Sequence, residues 1–225
     1  MFLPLKDDNP TSRIPVLTLL LIAANVAVFI YQALSPQGLG FHVVRMGAIP
    51  YELTHFTTLR GLPRLAPPLT LLTSMFVHGG LFHLLGNMLY LWIFGNNIED
   101  HLGSLRFGLF YLLAGLGASV THIIFHPNSQ LPMVGASGAI AGILGAYLIL
   151  YPGARVLTLV LFWIVPVPAA ILLMLWFFGQ IMNIGLGGGV AWFAHIGGFL
   201  SGMLLISRSR RRRPPVPPAP NEYVH

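Results

Sequence analysis

The sequence predicts an all-α, polytopic membrane protein with six transmembrane helices and both termini in the cytoplasm, and three observations lead to it. Of 225 residues, 55% are hydrophobic and 8% charged, against roughly 25% charged in an ordinary soluble domain, so too little polar surface exists to coat a water-soluble globule. Apolar runs close to the ~20 residues that cross a bilayer as a helix fill most of the chain. The basic residues fall unevenly between the connections joining those runs, as they do in membrane proteins with a fixed orientation. Composition excludes other classes too. The chain has no Cys, which removes disulfides, thiolate metal sites and cysteine nucleophiles. The net charge of +6 does not point to nucleic acid, because five of the twelve basic residues lie in the stretch Arg208 to Arg213, directly after an apolar run, where they read as a membrane flank.

Each span can be justified in turn. Ile14 to Leu34 is the first, an uncleaved anchor with no small-residue cleavage site behind it. Leu69 to Phe94 is the second and keeps its polar groups on one side. Leu102 to Phe125 is the third. Gly135 to Tyr151 is a short fourth, Val156 to Ile184 a long fifth interrupted by Pro166 and Pro168, and Val190 to Ile206 the sixth. All six read as helices, since no run shows the ten-residue alternation of a membrane barrel. Residues 1–13 form a cytoplasmic tail, 14–207 the membrane domain, and 208–225 a basic, Pro-rich cytoplasmic tail that cannot bury a core. With six spans, Lys6, Arg13, Arg106, Arg155, Arg208 and Arg210 to Arg213 share one side, and Arg45, Arg60 and Arg64 the other. Nine against three places the termini inside.

Polar groups within the spans concentrate in three places: His78, His83 and Asn87 in the second, Gly135 to Gly138 at the start of the fourth, and His195 in the sixth. Such groups are costly in hydrocarbon and mark function. His83 to Asn96 and His195 to Arg208 are each thirteen residues, and Ser137 to Pro152 is fifteen. At 1.5 Å per residue this sets all three groups roughly 20–22 Å above the inner boundary, some 8–10 Å below the outer face of a ~30 Å layer. The fourth span is too short to reach that face, so residues 128–134 must descend to meet it, which non-helical backbone can do only beside protein or water. A recessed, wet cavity is expected above Ser137. Gly138, Ala141, Gly142 and Gly145 on the fourth span, and Ala194, Gly198 and Gly202 on the sixth, are small faces that let membrane helices pack closely, with Ser137 and His195 at their outer ends.

A serine hydroxyl attacks only when a base takes its proton, and imidazole is the usual base at neutral pH. Ser137 is the candidate nucleophile and His195 the candidate general base. Asp7, Asp8, Glu52, Glu99, Asp100 and Glu222 all map to tails, the outer loop or the inner turn, so no carboxylate reaches His195 and the pair is a dyad. The helix N-terminus at Ser137, together with His83 and Asn87 one turn apart on one face, supplies donors for a developing oxyanion. Gly135 and Gly138 permit the tight backbone at that junction.

These residues resemble the rhomboid family of intramembrane serine proteases. The likeness rests on Gly135-Ala136-Ser137-Gly138, on His83 followed by Asn87, on Ala194-His195 with Gly198 and Gly202, and on the six-span layout from about Ile14 to Ile206. It implies a rhomboid-like bundle, Ser137 and His195 as catalytic dyad, and an oxyanion hole of His83, Asn87 and the Ser137 amide. It also implies substrates that are membrane-spanning helices of single-span or polytopic proteins, and a structural role for Glu99. The sequence departs from many members in two places. An aromatic residue four positions after the nucleophile is replaced by Ala141, and the outer loop has no Trp beside its arginines.

Competing readings remain open at this level. A non-catalytic rhomboid-like module that binds membrane proteins would share the fold, and a small transporter would line a path with polar groups, although here they occupy a single level. His122 and His126 read as interfacial residues. His78 either supports the oxyanion hole or bonds the outer loop. Trp176 and Phe178 are packing or lipid-facing aromatics, or else a lateral gate. The sequence lacks HExxH and an available acid, so no metal or other cofactor is expected. Partners are membrane proteins and lipid, with no nucleic acid. Compact size and the lack of a transit peptide point to a prokaryotic inner membrane.

Overall fold

The computed structural model describes residues 2–59, 65–185 and 190–209. Arg60 and Arg64, residues 186–189 of the Gly-rich loop, and the tail from Arg210 onward lie outside these residues. In chain order the elements are β1 (Phe2–Asp7), α1 (Val16–Leu34), α2 (Gly38–Met46), α3 (Pro50–Thr54), α4 (Pro67–Thr73) leading into a 3₁₀ turn (Ser74–Phe76), α5 (Leu81–Leu102), α6 (Ser104–Phe125), α7 (Ser137–Leu150), β2 (Arg155–Val160), β3 (Trp163–Pro168), α8 (Ala169–Met182) and α9 (Trp192–Ser207).

Helix α1 is built inside out relative to a soluble helix. Thr18, Asn25 and Gln32, seven residues apart, are fully buried, while Leu20, Ile30 and Leu34 are exposed. Apolar side chains outward and polar ones inward suit a helix whose solvent is lipid. By length and composition, α1 and α6 can each cross a membrane, and α4 with α5 could form a third, bent crossing. Helices α7, α8 and α9 are apolar but shorter.

Two of the expected spans are corrected. The second does not run from Leu69 to Phe94 as one helix: α4 with its 3₁₀ turn and α5 are bent by 77°. The break spans residues 77–80, where Gly79 and Gly80 stand together, and glycine is a poor helix former. Its backbone is satisfied from α1: His78 N–H donates to Gln32 Oε1 (3.2 Å), and Gln32 Nε2 donates to the His78 carbonyl (3.3 Å). The apolar pattern continues across the break, so hydropathy alone cannot see it. The fifth, Val156 to Ile184, is not a helix throughout. Its first half is the antiparallel hairpin β2–β3, and only Ala169–Met182 is helical. The hairpin segment is rich in Val and Ile, which favour strands. Pro166 and Pro168 lie on β3, the edge of the sheet, where a missing N–H is tolerated.

The N-terminal segment supplies the third strand, so residues 1–13 are not merely a tail and the fold is mainly helical rather than all-α. Strand β1 pairs antiparallel with β2, with an irregularity between Pro4 and Lys6, and the sheet order is β1-β2-β3. This sheet is pinned to the bundle by Asp7, whose Oδ2 accepts from Tyr147 Oη (2.7 Å) and Asn97 Nδ2 (2.8 Å). Nearby, buried Glu99 accepts from the backbone N–H groups of Leu17 (2.9 Å) and Thr18 (2.7 Å), and from the hydroxyls of Thr18 (2.8 Å) and Ser104 (2.6 Å). One residue, Gly103 at φ +77°, turns α5 into α6.

Helix α7 runs through the centre, buried over most of its length, and packs against α6 and α9. The α7–α9 contact is backbone on backbone. A Cβ at Gly198 would collide with the Gly138 carbonyl, one at Gly202 with that of Gly142, and one at Gly145 with that of Phe199.

Candidate active site

The close approach of α7 and α9 decides where Ser137 and His195 fall. Ser137 is the first residue of α7, and His195 stands in the first turn of α9. Ser137 Oγ lies 2.9 Å from His195 Nε2, within reach for a proton to pass from hydroxyl to imidazole. The first intrahelical bond of α7 runs from Ile140 N to Ala136 O, so the Ser137 N–H belongs to the open turn of the helix, where the dipole favours negative charge.

A cavity of about 710 Å³ opens over this pair, lined by His83 and Asn87 of α5, Gly135 of the loop before α7, Ser137, Trp176 of α8 and His195 of α9, among others. Pro132, Met133, Val134 and Gly135 form part of its wall. Met133 pairs with Ala48 in both directions (3.0 and 2.8 Å), and Gly135 N–H donates to the Ser74 carbonyl (2.8 Å). Gly135 adopts φ +115°, and a Cβ there would stand 2.6 Å from His83 Nε2 and 3.5 Å from Asn87 Nδ2. Glycine is therefore required at this position on two counts, conformation and space. It also follows that His83 and Asn87 stand against the backbone of Gly135, two residues before Ser137.

Asn87 is 7% exposed and its Nδ2 has no hydrogen-bond partner among the described residues. A buried amide donor left unmade is costly, and here it is aimed into the cavity. His78 is fully buried behind His83, the two rings edge to face at 5.1 Å, so it contacts the cavity wall rather than the cavity. His122 and His126 stack on each other (4.8 Å) near the C-terminus of α6. Among the described residues no group of three His, Cys, Asp or Glu side chains is arranged to hold a metal ion.

The aromatic candidates on α8 separate. Trp176 is half-buried and faces inward, with its ring 5.9 Å from that of His195 and 6.0 Å from that of Phe199. Phe178 is 52% exposed and touches Phe177. Ala141 is fully buried and offers His195 no ring, so ring contacts reach the imidazole from Trp176 and from Trp192 (6.2 Å).

One site residue escapes a search for acids. Gln180, on α8 and 8% exposed, places Oε1 2.7 Å from His195 Nδ1. The available signal is its polarity within an otherwise apolar span, which is expensive unless it has a task.

Comparison with known proteins places the chain among relatives. A family model described as Rhomboid domain matches residues 67–212. RHOMBOID-like protein 1 of Arabidopsis thaliana is 38% identical over 60% of this chain and 33% of its own length. Rhomboid protease GluP of Bacillus subtilis (strain 168) is 47% identical over 35% of this chain and 15% of its own. Rhomboid protein 1, mitochondrial, of Saccharomyces cerevisiae is 29% identical over 64% of this chain and 45% of its own. The chain thus spans less than half the length of each of these relatives, which come from a plant, a bacterium and a yeast mitochondrion and so favour no single compartment. The matched region contains α5, α7 and α9 with Ser137, His195, His83 and Asn87, and the chain belongs to the rhomboid family.

Proposed function

We propose that this protein is an intramembrane serine endopeptidase that cleaves membrane-spanning segments of other proteins. The observation that carries this reading is the 2.9 Å contact between Ser137 Oγ and His195 Nε2 at the base of a cavity. In this reaction Oγ attacks the peptide carbonyl carbon while its proton passes to Nε2. The resulting oxyanion takes hydrogen bonds from the Ser137 N–H, Asn87 Nδ2 and His83, and His195 returns the proton to the leaving amine. Water in the cavity then hydrolyses the acyl-enzyme by the same route. His78 and Gly135 support this constellation by backing His83 and leaving it room.

The working arrangement is six spans in a cell membrane, with the sheet and both termini in the cytoplasm and the dyad toward the opposite face. The nine-against-three distribution of basic residues supports it. A helical scissile bond is shielded by its own hydrogen bonds, so substrates carry Gly, Pro or other weak helix formers near the cleavage point. Helix α8, bearing Trp176 and outward-facing Phe178, is the element whose displacement admits them.

The test is co-expression with a single-span substrate, joined to fluorophosphonate labelling, for wild type, Ser137→Ala and His195→Ala. Cleavage and labelling at Ser137 should occur in wild type and be lost in both variants. Cleavage that persists in Ser137→Ala overturns the mechanism. A wild type that retains substrate but neither cleaves nor labels would make the protein a membrane-protein binding module instead.

A further inference from the structure

The dyad has a requirement that its two members cannot meet. For His195 Nε2 to accept the serine proton, the single proton of the neutral ring must sit on Nδ1, and a buried N–H needs an acceptor. We propose that Gln180 is the positioning residue that holds His195 in this tautomer, and that it does so from α8, so that the base is set only while α8 is seated against α9. This inference rests on the serine endopeptidase reading.

Gln180 Oε1 lies 2.7 Å from Nδ1, while Nε2 on the opposite side of the ring faces Ser137 Oγ. A side-chain amide can accept or donate, and its direction here is set by its second bond: Gln180 Nε2 donates to the Trp176 carbonyl one turn earlier on α8, at 3.1 Å. Turning the amide over would set two carbonyl oxygens against each other at Trp176. It would also offer an N–H to Nδ1, moving the ring proton to Nε2 and leaving no lone pair for Ser137. The Trp176 carbonyl therefore orients the amide, the amide orients the ring, and the ring presents a free lone pair to the hydroxyl. When Oγ attacks, the Oγ–H bond breaks, an Nε2–H bond forms, and the imidazolium keeps its Nδ1–H on the Gln180 carbonyl. A neutral acceptor also suits the burial, since a carboxylate there would carry a heavy desolvation cost. Because Ala141 gives the ring no aromatic support from α7, α8 supplies two restraints, Gln180 by hydrogen bond and Trp176 by its ring, while the Trp192 ring on α9 moves with His195 itself. Moving α8 aside releases both together.

The test compares full-length wild type, Gln180→Leu and Gln180→Glu in detergent with a single-span substrate. It also records nitrogen-15 NMR of histidine-labelled protein, with His195 assigned by difference from His195→Ala. The neutral ring of wild type should show the Nδ1–H tautomer. Gln180→Leu should lose that preference and lower kcat roughly 10- to 100-fold with KM unchanged, less than the ~10⁴ that follows when a triad loses its carboxylate orienter. Gln180→Glu, which keeps an oxygen acceptor against Nδ1 but brings a costly buried carboxylate beside the Trp176 carbonyl, should retain the Nδ1–H tautomer with kcat between that of Gln180→Leu and wild type. An Nε2–H tautomer in wild type overturns the proposal, and so does a Gln180→Leu protein with wild-type tautomer and kcat. If Gln180→Leu does not fold, the wild-type spectrum and Gln180→Glu still decide. A wild type that fails to label at Ser137 removes the protease reading itself, which separates the two failures.

Discussion

At the sheet end of the bundle, Glu99 accepts four hydrogen bonds, and Asp7 ties β1 to both α5 and α7. At the dyad end, Asn87 Nδ2 and both ring nitrogens of His78 find no hydrogen-bond partner among the described residues. The same helices α5 and α7 pass through both regions. Buried polarity that is saturated fixes where helices stand relative to each other, whereas buried polarity left open is free to bind whatever enters. The contrast predicts that changes at one end act on stability with little effect on chemistry, and changes at the other do the reverse.

The largest effect that could break this contrast comes from Glu99. Removing its carboxylate leaves two backbone N–H groups and two hydroxyls without their acceptor, so Glu99→Ala should lower stability by about 3 kcal/mol, read by thermal unfolding in detergent. The fraction that remains folded should label at Ser137 as wild type does. An unshifted melting curve would mean that the sheet end is not what holds the bundle.

Asn87→Ala tests the opposite end. Loss of one oxyanion donor should reduce kcat by roughly 10²-fold while the melting temperature stays in place, because the amide has no partner to lose. A fall in melting temperature as deep as that of Glu99→Ala, with kcat preserved, would reverse the assignment.

The smallest effect sharpens the comparison through pH. Burial pushes the Asp7 carboxyl above its ordinary value of 3.8, against the opposing hydrogen bonds from Tyr147 and Asn97. The folded state therefore binds this proton more tightly than the unfolded chain, and the associated stability is full below pH 3.8 and is lost as pH rises through the raised value. Asp7→Asn cannot charge, so its melting temperature should gain on wild type across that window, by a few degrees at most. A difference that does not change with pH would show that the carboxylate carries no such cost.

Much of the site can be read from residue spacing because a membrane helix ties residue number to height. Counting thirteen residues from His83, thirteen from His195 and fifteen from Ser137 to an expected inner boundary predicts one level for them, and in the structure all three line one cavity, with the glycines around Gly142 and Gly198 bringing two of the helices into contact. What spacing misses has a physical reason in each case. The β2–β3 hairpin is as apolar as a span, so hydropathy alone cannot separate Val156 to Pro168 from a helix, although its Val and Ile content and its two prolines argue for strands. The kink at Gly79 and Gly80 is hidden by apolar residues on either side. Gln180 is passed over because a search for a histidine partner looks for charge, when a neutral amide fills the place. The seven-residue polar row Thr18, Asn25 and Gln32 marks the inner face of α1 in the same unobtrusive way.

The notches at Gly138, Gly142, Gly198 and Gly202 carry one more consequence. Two rods that meet largely through bare main chain, with few side chains between them to re-pack, should tip as a single body when the surrounding lipid thickens or thins. The gap between hydroxyl and imidazole should then be the same in bilayers of different composition, and any dependence of turnover on lipid would have to be traced to the looser partners of that rod, the entry to α5 and the whole of α8.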